Sequence, residues 1–398
     1  MILDRRSFLQ GVTAAAVGLA APRRAAAEPS PEELILGGKP DLRIHQARPV
    51  NAETPVTLLD GDVTPNHHHF VRNHGLVPAR APLRDLDGWS LTVDGVVDRP
   101  TAFTLEQLQE DFPSRTANVV LECAGNGRAG YRPQTKGTPW TLGAVGCAQW
   151  TGVLLRDVLD TLDVRLNDAV HVAFEGEDRH LSGDPGKQAL SRAIPFQKAV
   201  DGHTMLAWAM NGEPLPAEHG WPLRLIVPGY PGSASGKWLR RLWVRDQEHD
   251  SEGMGGLSYR MPRHPVAPGG AVDPEQMQVI EQMPVKSIIT HPGTGVGVAA
   301  GEPLQIRGQA WSGAGRITAV DLSWDFGNTW TAANLQAPPN PYAWQRWARP
   351  ITLPGPGYYE LWARATDETG AMQPQVVPGW NPRGYLNHAM QRIAIQVT

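Results

Sequence analysis

From about Met283 onward the chain is a series of short segments separated by glycine, proline and asparagine turns. Within the segments apolar and polar residues alternate, which is typical of strands that bury one face. The spacing therefore predicts an all-β sandwich of the immunoglobulin-like type. The clearest strand patterns lie at Ser287–Thr290, Leu304–Gly308, Ile317–Ser323, Tyr358–Arg364 and Arg392–Val397.

The region before Met283 combines short strands with few helices, which predicts an α+β domain. Helices are expected from Thr104, a suitable N-cap, and over Leu154–Leu159. Glu28–Pro65 is interrupted by prolines and is expected to be an extended wrap, and Pro262–Asp273 is the predicted linker. Strands are predicted at Trp89–Val97, Val119–Cys123, Val170–Phe174, Pro222–Pro228 and Leu239–Val244.

The first residues predict an export signal. Arg5 and Arg6 precede an apolar run over Gly11–Ala21, and Ala25–Ala27 offers a small-residue cleavage site, an order typical of a twin-arginine signal. That route carries folded cargo to the periplasm, which suits a protein that must first receive a cofactor. We expect a signal at 1–27, a first domain at 28–275 and a second at 276–398, without a membrane span.

Charge and cysteine content narrow the function. Removing residues 1–27 takes four arginines and one aspartate from 36 basic and 40 acidic residues, which leaves a net charge of −7. This balance argues against nucleic-acid binding, which requires a basic face. The two cysteines, Cys123 and Cys147, exclude a disulfide scaffold, and no Cys-x-x-Cys-His motif exists for covalent haem. We therefore expect electrons to leave through a separate carrier.

Cys123 is the strongest candidate for chemistry. It ends a predicted buried strand, a Gly-Asn-Gly loop follows, and Arg128 lies close by in sequence. A lone cysteine is more often a buried structural residue, but this position favours a metal ligand, because a thiolate is a soft ligand for a transition metal. Cys147 lacks such surroundings and is interpreted as structural.

Three ordered motifs carry a family resemblance. Phe70–His74, Leu121–Arg128 and His219–Arg224, which leads to Ser235–Leu239, resemble the molybdenum cofactor domain of the sulfite oxidase family. The second domain, which closes with Trp380–Gly384, is similar to the immunoglobulin-like dimerisation domain of that family. The resemblance covers nearly all of the mature chain in the expected order.

The resemblance implies a set of site residues. Cys123 would bind molybdenum, and three arginines would line an oxyanion pocket. Tyr259 would hydrogen-bond the substrate or a metal-bound oxygen and help to move a proton during re-oxidation. The segment Gly253–Gly256, close to Tyr259, departs from the family pattern. Arg224 and Lys237 would meet the phosphate of the pterin. The arginines are Arg72, Arg128 and Arg383, and the pterin residues are Asn73, His74, Asp178, His219, Arg224, Ser235, Gly236 and Lys237.

The implied function is a molybdenum-dependent sulfite dehydrogenase that oxidises sulfite to sulfate, carries no haem and passes electrons to a c-type cytochrome. A homodimer is expected through the second domain. One alternative is the sulfane dehydrogenase catalytic subunit of a thiosulfate-oxidising complex, and another is a non-enzymatic periplasmic binding or assembly protein. The second domain argues against a methionine sulfoxide reductase. Consecutive histidines point in different directions, so His67–His69 is expected to face solvent or a partner, with the alternative that one of the three reaches the pocket.

Overall fold

A computed structural model describes residues 30–251 and 253–398, so the predicted export signal lies outside the described residues. The described part is built mainly of short strands, as the sequence predicts. None of its helices is both long and apolar enough to cross a membrane. The α-helices are α1 Pro31–Gly37, α2 Arg80–Leu83, α3 Leu105–Glu110, α4 Leu155–Leu159 and α5 Phe196–Ala199.

Two five-stranded sheets form the centre of the first domain. One has the order β5-β4-β13-β8-β9, and in the other β11-β10-β7-β6 is extended by β12, which pairs with β10. The strands of the first are β4 Leu91–Gly95, β5 Thr101–Phe103, β8 His171–Gly176, β9 Ser191–Pro195 and β13 Leu239–Arg245. Those of the second are β6 Ser114–Glu122, β7 Val145–Leu154, β10 Met205–Met210, β11 Glu213–Pro214 and β12 Arg224–Ile226.

Successive side chains along the strands of the second sheet point to opposite faces, and each face belongs to a different hydrophobic core. Val153 and Leu206 join the core that contains the first sheet, whereas their neighbours Leu154 and Met205 join a core with the N-terminal segment. The predicted N-cap is confirmed, because the Thr104 side chain accepts from the amide of Gln107 in a capping box.

The N-terminal segment is more regular than expected. It contains α1, which a Ser30–Glu33 capping box starts, and a small sheet of β1 Arg43–Gln46, β2 Asn51–Glu53 and β3 Val71–Arg72. Proline at the first helical position is compatible with a helix, because the amide it lacks has no intrahelical partner there. The prolines of this segment therefore mark element ends as well as extended chain.

The second domain is the predicted immunoglobulin-like sandwich, and with the α+β first domain it confirms the predicted fold class. Its sheets have the orders β16-β18-β22-β21 and β17-β24-β23-β19-β20. The sequence pattern did not reveal β22, because Pro350 lies within it and proline normally argues against a strand. The strands are β16 Lys286–His291, β17 Val296–Val298, β18 Pro303–Trp311, β19 Ile317–Ser323, β20 Thr331–Ala332, β21 Asn334–Leu335, β22 Gln345–Thr352, β23 Gly357–Asp367 and β24 Gln391–Val397.

The two domains are joined by more than the linker. Beside the linker, β14 Arg260–Pro262 pairs with β15 Met277–Val279. Arg307 of β18 forms an ion pair with Asp60 of the first domain at 2.8 Å. The loop between β23 and β24 also returns to the first domain, where the amide of Leu386 donates to the carbonyl of Ala124 at 2.9 Å.

Candidate active site

Cys123 lies in the tight turn that follows β6. Its amide donates to the Ala144 carbonyl at 2.9 Å, and its own carbonyl accepts from the amide of Asn126 at 2.8 Å. The side chain is 7% exposed. The strand and the turn thus fix the thiol at the wall of two adjoining cavities.

The two cavities have different linings. One, the histidine cavity, is lined by His69, His74 and His219 among others. The other, the arginine cavity, is lined by all three predicted arginines. The residues that line both are Arg72, His74, Cys123, Leu190 and Tyr259. Cys123 therefore lies where a group bound in one cavity meets a molecule bound in the other.

The arginine cavity brings together guanidinium groups from three distant segments. Arg128, 6% exposed, donates from Nε to the Arg383 carbonyl and from Nη1 to the Thr138 carbonyl, both at 2.7 Å. Arg72 donates to the carbonyl of Asn73. Planar guanidinium groups that converge in this way suit an oxyanion, which accepts several hydrogen bonds at once.

Tyr259 faces both the arginines and a histidine. Its hydroxyl lies 2.5 Å from Nε2 of His74, and its ring stacks on Tyr385 with centroids 5.4 Å apart. Burial raises the pKa of Tyr259, and burial, followed by the charge of Arg72, holds the pKa of His74 well below its usual value. Both groups are therefore neutral, and the hydrogen bond between them joins a phenol to an imidazole.

The histidine cavity holds two buried cations. Lys237 donates from Nζ to the carbonyls of Arg72 at 3.1 Å and Glu218 at 2.9 Å, and to Oδ1 of Asn73. Burial, followed by the charge of Arg224, holds its pKa well below the usual value. Burial lowers the pKa of Arg224 to about 9, and this guanidinium lies 5.1 Å from the Trp150 ring.

Several polar atoms around this cavity have no partner among the described residues. They are Nδ2 of Asn73, Nε of Arg224 and Nε2 of His69. Buried polar groups are normally paired, so such a cluster indicates a ligand that supplies acceptors and negative charge. The main acid in the wall is Asp178, and burial raises its pKa to about 6. The cavity therefore fits an anionic, hydrogen-bonding group such as a phosphate-bearing pterin.

The structure brings the thirteen predicted site residues together at these cavities. Twelve line one or both cavities, and Asn73 lies directly behind, with its side chain against Lys237. Ser235 also accepts at Oγ from the amide of Val227 at 3.0 Å. His67 is exposed and His68 contacts Asp41, but His69 is buried and lines the histidine cavity. His69 is thus the case in which one histidine of the run reaches the pocket, because the run turns inward there.

Sequence reasoning missed two buried cations. Lys39, 3% exposed, contacts Nε2 of His219 at 3.1 Å and Glu218 at 3.1 Å. Arg192, 1% exposed, lies 4.5 Å from the centroid of the Tyr259 ring. An arginine in the otherwise small and apolar strand β9 was a usable signal for Arg192, whereas the sequence around Lys39 gave none.

Family models match both halves of the chain. The oxidoreductase molybdopterin binding domain matches residues 74–252, and the Mo-co oxidoreductase dimerisation domain matches residues 277–398. Together with the thiol, the arginines and the cationic cavity, these matches define a molybdenum oxidoreductase.

The relatives give the family. Sulfite oxidase from Gallus gallus is 37% identical over 94% of this chain and 83% of its own length. Mitochondrial sulfite oxidase from Homo sapiens is 37% identical over 90% of this chain, which spans only 66% of that protein. The crystal structure of the sulfane dehydrogenase SoxCD from Paracoccus pantotrophus matches with a TM-score of 0.70 and 32% identity, over 86% of this chain and 83% of that one. The chain belongs to the sulfite oxidase family.

Proposed function

We propose that the protein is a periplasmic molybdenum-dependent sulfite dehydrogenase that converts sulfite and water to sulfate, two protons and two electrons. The observation that carries the proposal is the convergence of Arg72, Arg128 and Arg383 on the cavity that contains Cys123. A dianion of three oxygens fits three guanidinium groups better than an uncharged substrate does.

The residues present fit a molybdenum cofactor. The Cys123 thiolate would hold the metal, and Arg224 and Lys237 would pair with the phosphate of the pterin, whose hydrogen-bonding edges would meet Asn73 and His69. When bound, the cofactor supplies the two-electron chemistry that side chains lack.

The remaining residues bind the substrate and manage protons. The arginines hold sulfite beside Cys123 and neutralise its charge, and the same groups hold sulfate until it leaves. Tyr259 stays protonated because its pKa is raised, so its hydroxyl proton is available in the arginine cavity, and the neutral imidazole of His74 holds that hydroxyl in place.

The proposal includes the cellular location, the electron acceptor and the oligomeric state of the protein. The twin-arginine pattern at Arg5 and Arg6 supports export to the periplasm, and a c-type cytochrome there would accept the electrons. The match to a dimerisation domain supports a homodimer. Light scattering that shows only monomer would contradict the dimer, and a cytoplasmic location in cell fractionation would contradict the address.

The decisive test combines metal analysis with a sulfite assay. We expect about one molybdenum atom per chain, set by a single thiolate ligand, and sulfite-dependent reduction of ferricyanide. The variant Cys123→Ser should lose both, whereas Cys147→Ala should keep both, because Cys147 is fully buried away from the cavities and burial raises its pKa to about 12. A wild-type protein without molybdenum would favour a non-enzymatic periplasmic binding or assembly protein.

The second candidate is the catalytic subunit of a sulfane dehydrogenase. The likeness to the SoxCD structure supports it, because that match covers most of both chains. Both candidates use the same fold and cofactor, so only the substrate separates them. Full molybdenum content with negligible sulfite turnover, together with turnover of a protein-bound sulfane sulfur, would select this candidate and remove the first.

A further inference from the structure

A buried carboxylate connects the second domain to the Cys123 turn. Glu122, the last residue of β6, is 1% exposed and precedes Cys123 directly. Two side chains of the second domain bind it: Lys286, also 1% exposed, donates to Oε1, and Trp311 donates from its indole nitrogen to Oε2 at 2.8 Å. The charge of Glu122 is therefore compensated from across the domain boundary.

The same carboxylate also holds the turn. Oε1 of Glu122 accepts from Nδ2 of Asn126 at 2.9 Å, and Oδ1 of Asn126 accepts from the amide of Ala144 at 3.1 Å. Ala144 in turn accepts from the amide of Cys123 at 2.9 Å. A continuous set of hydrogen bonds thus runs from Lys286 to the backbone of Cys123.

We propose that Lys286 and Glu122 are positioning residues that fix the thiol of Cys123 through Asn126. The inference rests on the proposed function only in that Cys123 is taken as the metal ligand. Partners of a ligand that lie outside the metal site commonly control how firmly the ligand is held. The immunoglobulin-like domain then contributes to metal binding as well as to assembly.

Anion binding is anchored separately. Arg128 is held by the carbonyls of Arg383 and Thr138, and Nδ2 of Asn387 donates to the Gly127 carbonyl at 2.7 Å. None of these contacts passes through Glu122. Loosening the Glu122 network should therefore lower kcat and metal retention while KM for sulfite stays nearly constant.

The test compares Lys286→Met with Arg307→Met. Each variant removes a cation that crosses the domain boundary, but the Arg307–Asp60 pair touches no residue that lines either cavity. We expect Lys286→Met to retain molybdenum about tenfold less well against a chelator. We also expect its kcat to be about tenfold lower than that of the wild type. In the metal-free protein, amide hydrogen exchange of peptide 121–128 should also become faster. Arg307→Met should leave all three quantities near wild type, and equal effects of the two variants would overturn the proposal.

Two double variants keep the test valid if Lys286→Met does not fold. E122Q/K286M has no buried charge and retains an acceptor for Asn126, whereas E122M/K286M retains none. We expect exchange of peptide 121–128 and kcat to be near wild type in the first and impaired in the second. Equal behaviour of the two would show that the hydrogen bond to Asn126 does not position Cys123. Because exchange is measured without metal or substrate, this result is independent of whether sulfite is the substrate.

Discussion

A methyl group added at Gly384 should damage the arginine cavity. It has a φ of +57°, and a Cβ there would lie 2.2 Å from Oγ1 of Thr135 and 2.8 Å from Cγ of Arg128. Alanine at a left-handed position costs about 1–2 kcal/mol, and overpacking adds about 1–3 kcal/mol. We therefore expect Gly384→Ala to lower the free energy of unfolding by about 2–5 kcal/mol.

The same clash should weaken sulfite binding. Arg128 has to move away from the new methyl group, and the loss of one hydrogen bond between a guanidinium and an anion costs about 1.5–3 kcal/mol. Since 1.4 kcal/mol is a factor of ten, KM for sulfite should rise about 10- to 100-fold. Steady-state kinetics with ferricyanide and denaturant unfolding measure the two effects separately.

Gly379 provides a matched control in the same loop. Its φ is +37°, but a Cβ there would have no neighbour within 4 Å. Gly379→Ala should therefore carry only the backbone cost of about 1–2 kcal/mol and keep the wild-type KM. If Gly384→Ala raises KM no more than Gly379→Ala does, the position of the Arg128 side chain does not depend on Gly384, and the prediction is wrong.

Three further variants test other parts of the structure. Burial, followed by the charges of Lys39 and Arg224, lowers the pKa of His69 to about 3 from 6.5. Between pH 6.5 and pH 3, the cofactor-free protein therefore protonates this imidazole only when it is unfolded. The free energy of unfolding consequently falls as the pH falls through this range. His69→Gln should reduce that slope by about 1.4 kcal/mol per pH unit, and an unchanged slope in unfolding titrations between pH 6 and 4 would contradict it. Arg224→Met should stabilise the cofactor-free protein by about 1–4 kcal/mol, because it replaces a buried charge by an apolar chain. The same variant should contain less pterin than the wild type. Full pterin content in this variant would show that Arg224 does not bind the phosphate. Thr104→Ala should cost about 1 kcal/mol through loss of the capping box and leave kinetics unchanged, as thermal unfolding and steady-state assays would show.

The sequence predicted those site residues that belong to contiguous motifs. Cys123 follows a buried strand and precedes a glycine-rich turn, so its place at a strand end followed from local rules. Arg383 lies far away in sequence, and only the ordered family pattern connected it with Cys123. Periodicity alone could not have done so, because it predicts which face of an element is buried and not which loops meet.

The residues that sequence reasoning missed depend on contacts between distant segments. Lys39 reaches His219 only because the N-terminal segment folds back over the first domain. Glu122 reads as the polar end of an apolar strand, and its role depends on Lys286, which a sandwich strand of the second domain supplies. A charged residue inside a buried strand was nevertheless a usable sign, because burial of an unpaired charge is costly and implies a partner.

The arrangement makes the second domain part of the candidate active site. Its loop between β23 and β24 supplies Arg383 to the arginine cavity. In the same loop the ring of Tyr385 stacks on Tyr259, and the carbonyl of Tyr385 accepts a hydrogen bond from the hydroxyl of Tyr131. Because the arginine cavity is formed by both domains, the first domain alone would lack one wall of it and the cation that balances Glu122. Mutations in the sandwich can therefore impair catalysis without any change in oligomeric state, and a defect in this domain is not by itself evidence of a defect in dimerisation.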